Sequence, residues 1–239
     1  MGAPADTPLQ RMARRAARSR EDALERCDLC GAPIAAAHRH LLDVPARELM
    51  CACRACAVLF DRGAARAAVH DPAGTGVVAG ETRWASGHYR LVPDRRLRVE
   101  DFALDDVAWA DLRLPVDLAF FVRDTAAGRV RAYYPGPMGA TESLLGLDTW
   151  AELEAANPVL ATLEPDVEAL LVDRAQGARH HLIVPIEDCF ALVGLIRMHW
   201  KGLTGGREVW TEIAGFFEGL DRRARPAGPH DRMEGTWAS

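Results

Sequence analysis

Five of the six cysteines lie between residues 27 and 56, as Cys27-Asp-Leu-Cys30-Gly31 and, after a spacer, Cys51-Ala-Cys53-Arg-Ala-Cys56. The two Cys-x-x-Cys knuckles, Cys27/Cys30 and Cys53/Cys56, can close a tetrahedral four-sulfur site, because each short turn aims two thiolates at one ion. The spacer must then fold back as a hairpin. Gly31 supplies the positive φ that lets backbone N–H groups turn towards the sulfurs. Zinc suits the set better than iron. Two disulfides are the competing use of the same residues, and they require an oxidising compartment. Residues 1–26 carry arginines at 11, 14, 15, 18, 20 and 26 but no apolar stretch of secretory type. The expectation is therefore a metal site in a cytoplasmic protein.

Cys51 stands outside that set. In an extended Cys51-Ala52-Cys53 alternate side chains share a face, so Cys51 can replace Cys53 as a ligand, stay a nearby free thiol, or fill the module's small core. The last is the simplest reading. His38 and His40 are alternative ligands, yet four thiolates already complete a tetrahedron, and a solvated loop is the simpler place for both.

Other groups invite a functional reading further on. Tyr134-Pro135-Gly136-Pro137-Met138-Gly139 reads as a long turn opening onto a helix capped by Thr141. A plain connector is the simpler reading of it; the functional one is that its N–H groups receive an anion or a partner's carboxylate and that Met138 amid Pro135, Gly136, Pro137 and Gly139 makes a docking knob. His180, His181, Glu187, Asp188 and Cys189 bring titratable groups within a dozen residues. Cys189, however, opens an apolar helix where it packs as a small hydrophobe, and Glu187 and Asp188 complement that helix's dipole. No Ser-His-Asp set, His-Glu-x-x-His or dinucleotide glycine pattern occurs, so no catalytic residue is assigned and an enzyme is the less economical reading.

To position these groups the chain divides into five stretches. Residues 1–25 form a basic arm, flexible or helical; 26–70 a zinc-ribbon module; 71–83 a linker rich in turn formers; 84–223 an α+β domain; and 224–239 a polar, disordered tail. Within the large domain strand-like runs fall at 88–92, 97–102, 116–123, 129–134, 167–173 and 180–184. Helical spacing covers 105–112, 141–157, 186–200 and 207–223, the last with Val209, Trp210, Ile213, Phe216, Phe217 and Leu220 on one broad apolar stripe. Hairpins and helices without regular β-α-β alternation predict a mainly antiparallel sheet.

Composition sets the outer limits. A length of 239 residues, 49% hydrophobic content and a formal charge of −5 fit one ordinary globular domain with a small module attached. The longest apolar run, Cys189 to Ile196, is far short of the roughly 20 residues of a membrane-spanning helix. Of the 29 basic residues only Lys201 is lysine, which reflects base composition rather than a guanidinium chemistry. The acidic balance, and the lack of any Phe, Tyr or Trp before Phe60, leave no stacking platform for nucleic acid.

Cys27-Asp-Leu-Cys30-Gly31, His38-Arg-His40-Leu-Leu-Asp43, Leu49-Met-Cys51-Ala-Cys53-Arg-Ala-Cys56, Tyr134-Pro-Gly-Pro-Met-Gly139, Val184-Pro-Ile-Glu-Asp-Cys189 and Trp200-Lys-Gly-Leu203 together resemble a family of uncharacterised bacterial proteins, notably actinobacterial, encoded beside high-affinity nickel–iron hydrogenase genes. The resemblance implies accessory or maturation work, with a hydrogenase subunit or another accessory protein as partner. It implies no activity. The expected function is a non-enzymatic assembly protein carrying a structural zinc ribbon. The alternative is a rubredoxin-like iron protein that passes electrons. Against it, the second knuckle lacks the proline of a rubredoxin Cys-Pro-x-Cys, and no aromatic shell surrounds the cysteines.

Overall fold

A computed structural model describes residues 25–61, 88–143, 147–228 and 231. It falls into two units, Met1–Leu91 and Val92–Ser239, each with its own core. The expected basic arm, apart from Glu25, and the expected linker lie outside the described residues.

In the first unit β1 (Arg39–Asp43) pairs antiparallel with β2 (Glu48–Ala52), which makes the spacer the hairpin that two facing knuckles require. The turn between them closes with an Asp43 side chain accepting from Ala46 N–H and with Arg47 in the left-handed region at φ 57°. A third strand, β3 (Tyr89–Leu91), adds to the other side of β1. Tyr89–Leu91 thus completes the ribbon's sheet, where the run of strand-like segments had grouped it with the α+β domain. A short helix, α1 (Arg54–Val58), follows β2. Among the described residues Leu41, Ala52 and Ala57 form the buried cluster, with Leu29, Met50, Phe60 and Leu91 packed around it, and Cys27, Ile34 and Leu42 are buried as well. That is too little apolar surface to hold a fold unaided.

The second unit is an α+β domain on a seven-stranded sheet. Its strands are β4 (Leu97–Arg98), β5 (Leu118–Asp124), β6 (Arg129–Gly136), β7 (Gly139–Ser143), β8 (Glu168–Asp173), β9 (His180–Pro185) and β10 (Arg225–Pro226). They run in the order β10-β4-β9-β8-β5-β6-β7, antiparallel except for β10 beside β4. The central strands β5, β8 and β9 are buried along nearly their whole length. An antiparallel strand reads as a continuous apolar run only when both faces are covered. The helices are α2 (Asp106–Asp111), α3 (Leu147–Ala156), α4 (Ile186–His199) and α5 (Gly206–Arg223). Trp150 of α3 packs on Phe121 with ring centroids 5.6 Å apart, in one cluster with Trp109, Leu112 and Leu170. Helix α5 buries Val209, Ile213, Phe217 and Leu220 of the predicted stripe, while Trp210 and Phe216 at its edges are only partly buried.

Two expectations need correction. The segment after Tyr134 does not open onto a helix: β6 and β7 form a tight hairpin with Gly136 opposite Gly139, so Pro137-Met138 is its two-residue turn and Thr141 lies within a strand. Glycine at 139 allows the φ of 122° there. Thr141 therefore does not cap helix α3, which is described over Leu147–Ala156. Of the expected tail, residues 224–228 and 231 are described: Arg225 and Pro226 pair with Leu97 and Arg98, and Asp231 takes both terminal nitrogens of Arg225 at 2.8 and 2.7 Å, while the rest of it lies outside the described residues.

Candidate metal centre

The first knuckle is a backbone turn. Cys27 N–H donates to Ala32 O at 2.8 Å, Gly31 N–H returns to Cys27 O at 2.8 Å, and Gly31 sits at φ 72° as the spacing predicts. The second knuckle starts α1, with Cys53 as its N-cap: Cys56 N–H donates to Cys53 Sγ at 3.4 Å. Such a bond offsets negative charge on the sulfur and fixes its direction.

A clasp joins the two turns. Asp28 N–H donates to Cys51 O at 2.9 Å while Cys51 N–H donates to Asp28 Oδ2 at 2.6 Å. Asp28 thereby sets the distance between knuckles, a role that spacing alone does not reveal. An acidic residue inside a Cys-x-x-Cys is the only signal it leaves.

The four sulfurs of Cys27, Cys30, Cys53 and Cys56 consequently lie within 4.8 Å of one another. A metal at the centre of a tetrahedron with metal–sulfur bonds of about 2.3 Å holds its sulfurs about 3.8 Å apart. Cys30 Sγ and Cys53 Sγ are 3.8 Å apart. All six cysteines are free thiols, so the disulfide reading is set aside. The residues fit a four-coordinate metal, and the coarse expectation of a metal module holds.

Electrostatics point the same way. Burial works against ionising Cys27, but hydrogen bonds from the backbone at Cys53, Cys30 and Leu29 outweigh it and bring the thiol down to about 6. Cys56 is pushed up to about 12, first by its hydrogen bond with Cys53 and then by burial and the other two thiols. Without a cation the four cannot all carry charge; a divalent ion removes that conflict.

A family model matches residues 26–77 and 73–224. The chain belongs to DUF5947, a family of unknown function. Searches of curated proteins and of solved structures found no match. The DUF5947 match takes in both cysteine knuckles and the whole seven-stranded sheet except β10.

The remaining candidate residues separate into three groups. His38, His40 and Cys51 come together, each offering one ligand atom within 4.8 Å of the others, and Cys51 is not in the ribbon's core cluster. Both histidines are partly buried, so neither is in a solvated loop. Pro135, Gly136, Pro137, Met138 and Gly139 line the β6–β7 hairpin, with the Met138 side chain 93% exposed.

The third group is structural. Cys189 is fully buried, and burial followed by the charge of Asp188 drives its thiol well above the ordinary value, which suits packing and not nucleophilic attack. Asp188 is held by Arg96 through Nε at 2.7 Å and Nη2 at 3.1 Å, with Glu187 also on Arg96. His180 pairs with Asp221 at 2.9 Å, whereas His181 stacks on Phe102. His180 and His181 therefore have separate surroundings, while Glu187 and Asp188 share Arg96. No described helix is long and apolar enough to cross a membrane.

Proposed function

We propose that this DUF5947 protein is a non-enzymatic assembly factor: a structural zinc ribbon fixes one module, and the α+β domain docks a nickel–iron hydrogenase subunit or a factor that matures it. The observation that carries the zinc reading is the pairing of a closed four-sulfur cluster with a small apolar core among the described residues of that module. A metal saturated by four protein ligands has no open position for chemistry, and a module this small gains its folding energy from such a bond set. The nature of the partner is supplied by the sequence resemblance, and the exposed Met138 hairpin is the surface assigned to it.

The test has two readings from one preparation. Tagged protein co-expressed with the hydrogenase genes is purified without added metal, then assayed for metal, visible absorption and co-purified hydrogenase subunits. About one firmly held zinc per chain, no colour and a retained hydrogenase subunit are expected. Iron with a red, bleachable spectrum would replace this reading with rubredoxin-like electron transfer. Zinc without any hydrogenase component, with the operon expressed, would leave the ribbon and remove the partner.

A further inference from the structure

His38 Nδ1 lies 2.9 Å from the carbonyl oxygen of Ala35 and 3.4 Å from Glu25 Oε2. Both are acceptors, so Nδ1 carries the proton, and in a neutral imidazole Nε2 then holds a lone pair. The His38 side chain is only 8% exposed, and Nε2 is buried with no hydrogen-bond partner. Buried polar atoms are nearly always satisfied, so an orphaned acceptor is an unusual feature that asks for a ligand. An Nδ1–H tied to a backbone carbonyl and a carboxylate is also the arrangement that orients a metal-binding histidine.

What surrounds that orphan is a donor set. His38 stands just before β1 and His40 within it, and their two imidazole ring centroids are 4.6 Å apart. Cys51 is directly opposite His40 in the β1–β2 register. One ring nitrogen of each histidine and Cys51 Sγ all lie within 4.8 Å of one another. The thiol of Cys51 is held in place from behind, because its own N–H and C=O are both clasped by Asp28.

We propose that His38, His40 and Cys51 form a second metal site, separate from the four cysteines, that binds a divalent first-row transition cation through two imidazole nitrogens and one thiolate. Imidazole and thiolate together select ions such as zinc and cobalt over magnesium or calcium, which take oxygen ligands. Three protein donors leave a position for water or an external ligand, whereas the four-sulfur site is closed. The second site is thus the exchangeable one. It needs only the ribbon's hairpin, whatever partner the protein serves.

The test uses the full chain with the metal of the four-cysteine site first quantified. Cobalt(II) is titrated in, followed by thiolate-to-cobalt charge transfer and by X-ray absorption at the cobalt edge. One further equivalent is expected, with an edge spectrum fitted by two imidazole nitrogens and one sulfur, while the resident metal is retained. His38→Ala and Cys51→Ser should each weaken that equivalent by at least about 10-fold, the scale set by loss of even an outer partner of a metal ligand. Cys51→Ser should also abolish its charge-transfer band. No further equivalent, a shell without sulfur, or a four-sulfur shell from exchange into the first site would each overturn the proposal. The edge spectrum is read on the unaltered chain, so a variant that misfolds does not blunt the test. Because the resident metal is assayed separately, failure of the second site is distinguishable from failure of the ribbon.

Discussion

His181 lies on Phe102 with ring centroids 4.7 Å apart, its Nε2 buried and without a hydrogen-bond partner. Burial first, then the charges of Arg174, His180 and Arg179, draws its pKa from 6.5 down to about 4. The unfolded chain takes up this proton near pH 6.5 and the folded chain only near 4, so across that interval the unfolded state binds more protons. Stability is therefore full above pH 6.5 and falls as pH drops towards 4, by about 3 kcal/mol at most. Urea titrations followed by tryptophan fluorescence at pH 7 and pH 4.5 should show this loss in the native protein and a much smaller one in His181→Phe, which keeps the ring stack. Equal losses in both would clear His181 as the cause. In sequence this histidine looked like half of a His-His pair with functional potential, because neighbours along a strand point to opposite faces and only the fold shows that one meets Asp221 and the other the core. The four cysteines were legible for the opposite reason: a Cys-x-x-Cys turn is local, and its geometry travels with the sequence. The grouping of His38, His40 and Cys51 was not, since it depends on which residue of β2 stands opposite His40.

At the scale of elements, the ribbon and the sheet depend on different forces, and one substitution should separate them. Cys30→Ser removes one of four thiolates, and the buried cluster of Leu41, Ala52 and Ala57 cannot make up the loss. Hydrogen exchange should show loss of protection in β1 and β2 while β5, β8 and β9 keep theirs, because the second unit has its own core. A chelator strong enough to strip the metal should give the same pattern in the unaltered chain. A Cys30→Ser ribbon that stays protected would show that the metal does not hold it. Elements buried on both faces were easy to read: Leu118–Asp124, Glu168–Asp173 and His180–Pro185 are apolar runs bounded by turns. Strand β7 was hidden, since Gly139-Ala-Thr-Glu-Ser143 has neither an apolar run nor β-branched density. It exists because β6 offers a free edge and a two-residue turn returns the chain to it. The expected Thr141 helix cap failed at that point, tertiary pairing overriding a local signal that was sound on its own terms.

For the whole molecule, the partner-binding reading requires a surface that the fold maintains without needing it. Met138 at the β6–β7 turn meets that condition. Its side chain is 93% exposed, so truncation removes almost no internal contact, and the backbone of the hairpin is set by the Gly136–Gly139 pair and not by the methionine. Met138→Ala should therefore leave thermal and urea stability within about 0.5 kcal/mol of the native protein. A flexible thioether projecting from a rigid turn is also well suited to fill an apolar pocket on another protein, and an anchor of that kind at an interface contributes on the order of 1–2 kcal/mol. In a titration against the hydrogenase component proposed as its partner, Met138→Ala should then weaken binding by about 10-fold while the metal content of the four-cysteine site stays unchanged. Unaltered affinity would take the hairpin out of the interface. Lowered affinity accompanied by lowered stability would mean that the turn serves the sheet and not the partner.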